Sequence, residues 1–324
     1  MNIKISALML AVMYLGVPFL LGGNDYLIGL VASALIIAGV AVAWALLGNL
    51  GGMVSFGHAA FFGVGAYTSA VLTMDYGVPV FVALVVGGIG ASLSSIFMMP
   101  ALRLRGPYFA LAILAYAEIF KILATEATGL TGGAGGLLSI PSLPVFAGVD
   151  FGTKLGGYIV ILNIVTLMLI TYYFIRRSSY GLALKAMHDS ELATRIVGVP
   201  ATYLKVVMLL VSAFMTGAVG AFNAHYINFL EPDYAFSGTW TVFPIVAAIF
   251  GGYRTLSGPV LGALFIYLVD QLVFKNLIPQ GHQMILGVML AGMIILSPSG
   301  LLPVITNLFT RKKADNKRGE AQHA

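Results

Sequence analysis

A run of about 20 apolar residues without charge needs lipid or a large interior around it, and this chain repeats that pattern along nearly its whole length. The runs fall at roughly Ile5–Leu21, Leu27–Leu47, His58–Met74, Val78–Pro100, Pro107–Ala124, Gly156–Ile175, Tyr203–Phe222, Trp240–Phe250, Pro259–Phe274 and His282–Leu296. Only 9% of the 324 residues are charged, against about 25% in a soluble domain. That is too little charge to cover a water-exposed surface. The expected fold is all-α, a polytopic integral membrane protein of ten transmembrane helices, with eight or nine as the alternatives. The eighth run has 11 residues and must borrow its flanks, or form a broken or re-entrant element. The first run is followed by Gly22-Gly23-Asn24-Asp25-Tyr26 and not by a small-x-small cleavage site, so it reads as a retained span.

Basic residues give the orientation. With ten spans and the N-terminus inside, the cytoplasmic segments collect every lysine and arginine except Lys121, Lys154 and Lys275, as the positive-inside rule requires. Both termini are then cytoplasmic. Residues 1–310 form a single membrane domain, and 311–324 a disordered, basic cytoplasmic tail. The net charge of +5 does not point to nucleic acid, because no aromatic-interleaved basic patch occurs. Cysteine is absent, which excludes disulfides and thiolate metal sites. No G-x-x-x-x-G-K-[ST], H-E-x-x-H or G-x-S-x-G motif is present and the five histidines are scattered. No cofactor, metal site or catalytic residue is therefore expected, and the chain should not hydrolyse ATP itself.

The region Arg176–Lys205 (RRSSYGLALKAMHDSELATRIVGVPATYLK) is too polar to cross. Its composition suits one or two short helices. Ser190 can cap a helix starting at Glu191, and Gly198 and Pro200 stop it. Glu191 and Arg195 are spaced for a favourable i,i+4 pair. A helix over roughly 191–197 would turn an apolar strip to one surface and its charges to water. Such a segment is either a solvated or interfacial amphipathic element or a docking surface for a soluble partner.

Here the sequence resembles bacterial ABC importer permeases of the branched-chain amino-acid family. Tyr180–Ala186 (YGLALKA) and Asp189–Val199 (DSELATRIVGV) are similar to that family's cytoplasmic coupling region. Lys185, Ser190, Thr194 and Val197 depart from the usual residues and weaken its small-residue surface. Gly51–Tyr67 (GGMVSFGHAAFFGVGAY) resembles the most specific signature. Leu102–Leu111, Thr131–Gly136, and Gly251-Gly252 through Ala263 match further elements in the family order, so the resemblance covers most of residues 28–298.

The resemblance implies that this membrane subunit pairs with a second, non-identical permease subunit. Two cytoplasmic ATPase subunits would dock on 176–205, and an extracytoplasmic solute-binding protein would deliver the solute. The bacterial inner membrane is the implied location. ATPase coupling falls to Ala186, Asp189, Glu191, Ala193, Ile196 and Gly198, with Glu191 as the polar docking contact and Ala193 and Gly198 allowing close approach. The same type of permease serves urea or amides, nucleosides and sugars, so those cargoes stay open beside leucine, isoleucine and valine. An ion-gradient-driven secondary transporter and a membrane scaffold are the other readings.

Glycines at 51, 52, 57, 63 and 65 let helices approach closely or unwind. Ser55, Gly57, His58 and Gly63 are thus candidates for the translocation path or gate, or else a packing seam with a satisfied core histidine. Glu118 and Lys121 share a helical face in the fifth span and read as a neutralising pair or as path residues. Asp270 has no basic neighbour within its run. Asn223 and His225 complete the set of polar candidates inside spans.

Overall fold

A computed structural model describes residues 3–278, apart from 105 and 147, together with residues 281, 284–285, 287–289, 291–292 and 300. Each of the first nine apolar runs is helical: α1 (residues 3–21), α2 (Asp25–Leu50), α3 (His58–Asp75), α4 (Val80–Arg103), α5 (Pro107–Glu126), α6 (Lys154–Arg177), α9 (Ala201–Ile227), α10 (Thr239–Gly251) and α11 (Gly258–Leu277). Between α6 and α9 lie the short helices α7 (Ser179–Asp189) and α8 (Glu191–Ile196). The tenth expected run is described only at scattered positions, and the tail 311–324 lies outside the described residues.

Among the described residues seven helices are long and apolar enough to cross a membrane. The eighth run extends backwards through Pro232–Ala235, giving a broken span over Pro232–Gly251. Helix α3 is 18 residues long but carries His58, Tyr67, Ser69 and Thr73 on its buried surface. It lies within the bundle, where Ser212 meets His58 and His225 meets Ser69, partners that lipid could not supply.

Helix α2 is apolar on every side and is buried on nearly every side, as such a helix must be. Leu35, Ala38, Val40 and Leu46 have no exposed surface. It is the axis around which α6, α9, α10 and α11 pack. Helix α1 lies against α6 at a π-helical turn, Val12–Gly16, whose Met13 carbonyl accepts a hydrogen bond from the buried Tyr158 hydroxyl at 2.6 Å. An unmet carbonyl in hydrocarbon would cost several kcal/mol.

Helices α3, α4 and α9 meet where side chains are absent. A Cβ on Gly65 would overlap the backbone of Gly217, and one on Gly217 would run into Ala91. Gly87 sits against Gly65 and Ala221. Lipid tails are as apolar as the helices, so association here comes from van der Waals contact between closely approaching backbones. Overfilling such a site costs about 1–3 kcal/mol or more. Gly65→Leu should therefore lower the folded, monodisperse yield and the melting temperature in detergent. Gly129→Ala, with open space around it, should change neither.

Candidate functional site

The connections sort onto two ends. At one end, residues 51–54 with Phe56, the α4–α5 junction and the α7–α8 hairpin surround a cavity of about 870 Å3. Arg176 Nη1 also reaches the Arg254 carbonyl at 3.1 Å, bringing the α10–α11 turn to the same end. At the other end, Leu137–Leu138 pairs antiparallel with Phe229–Leu230. The His225 ring there receives Ser69 Oγ at 2.8 Å and donates to the Pro141 carbonyl at 2.7 Å. These ends match the expected partition of loops.

The hairpin is built as its sequence suggests. Ser178 Oγ accepts from Gly181 N and caps α7. Ser190 Oγ accepts from Ala193 N and caps α8. The chain then turns at Gly198, whose φ of +86° suits glycine, into Pro200. Leu184 and Met187 bury the inner face of α7. On α8, Leu192, Ile196 and Val197 at its end are 71%, 78% and 76% exposed. Ala186, Asp189, Ala193 and Gly198 are exposed as well.

Glu191 behaves differently from the expectation that α8 shows its charges to water. One carboxylate oxygen accepts from Arg195 Nη2 at 2.7 Å and the other from Lys205 Nζ at 2.9 Å. The Glu191 and Lys205 side chains are only 21% and 13% exposed. Sequence spacing showed the Arg195 bond. The Lys205 bond spans 14 residues across a turn, and no helical period signals it. A second attachment is steric: Gly52, at φ +65°, lies so close to the hairpin that a Cβ would stand 2.8 Å from His188 Nδ1.

The path candidates scatter. Ser55, Gly57, His58 and Gly63 are all buried, and none lines the cavity between the hairpin and α5. Ser55 Oγ accepts from Gly57 N, and its carbonyl accepts from Trp44 Nε1. Gly57 packs on Ile113 and Gly63 on the Phe236 ring. Ser212 Oγ donates to the Ala43 carbonyl at 2.9 Å and so accepts from His58 Nε2 at 3.1 Å, joining α2, α3 and α9. The neutralising pair expected between Glu118 and Lys121 is not formed: Lys121 Nζ binds Asp233 at 2.7 Å instead, and Glu118 lies on the exposed face of α5. The α5–Asp233 pairing could not be read locally because Asp233 lies in the short helix Pro232–Ala235, far along the chain. Asp270 is buried at a π-helical turn and accepts from Gln271 Nε2 at 3.3 Å. Asn223 Nδ2 donates to Tyr234 at 3.1 Å.

Comparison with known proteins gives this geometry a context. The sequence profile of the branched-chain amino acid transport system / permease component family matches residues 26–296. The chain belongs to that family. It is 27% identical over 343 aligned residues to the high-affinity branched-chain amino acid transport system permease protein LivM of Salmonella typhimurium, covering 98% of this chain and 78% of the relative. The Escherichia coli protein of the same name gives the same figures. A probable branched-chain amino acid transport permease protein LivM of Methanocaldococcus jannaschii is 23% identical over 231 residues, 66% of this chain and 65% of that one. No solved structure matches.

The hydrogen bond from Lys205, with desolvation opposing it and Arg195 adding to it, holds the Glu191 carboxyl below its ordinary range. A depressed carboxylate contributes stability above its unfolded pKa and loses it as pH falls through the folded value. After correction for intrinsic exchange, amide protection over 191–197 should stay constant from about pH 8 to 5 and fall only below about pH 4. Hydrogen–deuterium exchange of the permease across that range checks this.

Proposed function

We propose that this permease is the transmembrane subunit of an ATP-driven importer for branched-chain amino acids. It pairs with a second, non-identical permease subunit in a bacterial plasma membrane. An external solute-binding protein delivers leucine, isoleucine or valine, and two ATPase subunits on the cytoplasmic side dock on the 176–205 region. The hairpin end, which carries most of the loop arginines and lysines, faces the cytoplasm together with both termini. ATP is hydrolysed on the partners, and the permease contributes movement of its helices. Residues 1–310 act as one membrane unit, and 311–324 trail from it as a basic tail.

The observation that carries this reading is the exposed apolar face of α8. Leu192, Ile196 and Val197 stand out at the basic end, beside the small residues Ala186 and Ala193, on a helix too short to insert in a bilayer alone. Desolvating such side chains in a cleft is what a docking contact uses. Family membership supports a partner of the ATPase class, and the proposed cargo follows the transport systems named for the relatives.

The permease should co-purify with two ATPase subunits encoded beside it. Replacing Leu192 and Ile196 together by Asp should weaken that association by at least about 2 kcal/mol while leaving the permease monodisperse. Undiminished co-purification of the double variant would overturn the docking face. A cognate binding protein that takes up urea or a sugar and ignores leucine would overturn the cargo.

A further inference from the structure

We propose that the Glu191–Lys205 ion pair is the strut that carries movement of the docked hairpin into the membrane bundle, so that Glu191 is a positioning residue and not a partner contact. This deepens the reading above and rests on the hairpin being the ATPase dock.

Four observations support it. Both oxygens of Glu191 are already engaged inside the chain, at 2.7 Å by Arg195 and 2.9 Å by Lys205. The Arg195 bond closes within α8 and can hold only that helix's own shape. The Lys205 bond leaves α8 for α9, and it is the more shielded of the two, with Lys205 13% and Arg195 50% exposed. Secondly, the covalent route between α8 and α9 is a turn through Gly198 at φ +86° and Pro200. The bonds of that turn from Gly198 N to the Arg195 carbonyl and from Val199 N to the Thr194 carbonyl close back on α8. The ion pair adds a side-chain tie that crosses from α8 to α9.

Thirdly, the partner face and the strut are on different sides of the same two turns. Leu192, Ile196 and Val197 point out while Glu191 turns back towards α9. A push on the apolar face is therefore received at the strut. Finally, what lies beyond Lys205 is rigid: α9 runs on to Gly217, where it meets Gly65 of α3 and Gly87 of α4 backbone to backbone. His188 against Gly52 adds a second bearing point, on the loop that leads into α3. The hairpin thus has purchase on two of the three helices of that contact.

The test uses the whole complex, with both permeases, the ATPase pair and the binding protein, in proteoliposomes with radiolabelled leucine. Glu191→Gln and Lys205→Gln should each keep the ATPase subunits bound and hydrolysing ATP, while leucine moved per ATP falls at least about fivefold, the lower end of ordinary coupling energies. The exchange variant, Glu191→Lys with Lys205→Glu, should recover most of that ratio, which a general loss of stability would not allow. A second route uses the absence of cysteine in the chain: Glu191→Cys with Lys205→Cys should lose coupling and regain it when a short bifunctional thiol reagent joins the two positions. Loss of ATPase binding in Glu191→Gln but not in Lys205→Gln would overturn the proposal by making Glu191 a partner contact. An unchanged leucine-to-ATP ratio in both single variants would overturn it too. If the unaltered permease bound no ATPase, the docking reading itself would fall, a result distinct from either.

Discussion

The contact on which the arrangement depends is the meeting of α3, α4 and α9 at Gly65, Gly87 and Gly217. Hydrocarbon gives helices no hydrophobic reason to associate, so cohesion has to come from contact area, and contact area from missing side chains. Once the three backbones touch, polar groups can be placed between them at little cost. Ser212 joins His58 to the Ala43 carbonyl, and Ser69 meets His225. Each bond links separate helices and leaves fewer polar atoms to face lipid.

From that contact the two ends acquire different characters. At the end with Leu137–Leu138 and Phe229–Leu230 the connections are stitched together by backbone pairing, by His225 and by the Lys121–Asp233 bridge. At the hairpin end the connections leave an open cavity, with the α7–α8 hairpin at its rim. One end is braced and the other is held by a few discrete attachments. That asymmetry suits a machine in which force enters on one side. Among the polar candidates, His58 ties α3 to α9 through Ser212, and Glu118 lies on the outer face of α5.

How much could be read beforehand follows the range of each interaction. The apolar runs became helices because a bilayer permits little else, and even the short eighth run borrowed its flank as length demanded. The Ser190 cap, the Glu191–Arg195 pair and the Gly198 stop are local and were legible in a few residues. Glu118 and Lys121, three residues apart, are spaced for a local pair, but Asp233, more than 100 residues on, takes Lys121. Glu191 is legible through its spacing to Arg195, but its second bond comes from Lys205, across a turn whose path no periodicity encodes. The family signature at 51–67 covers the loop into α3, where Gly52, Met53 and Val54 line the cavity while Ser55 and His58 are buried away from it.

In the proposed importer, work from ATP reaches the membrane helices through the hairpin. Uptake of leucine is measured into proteoliposomes holding the permease pair and its ATPases, with binding protein outside and ATP trapped inside. Accumulation should require trapped ATP and the binding protein and be indifferent to collapse of proton and sodium gradients. Uptake that persists without ATP and disappears with the ion gradient would overturn the ATP-driven mechanism.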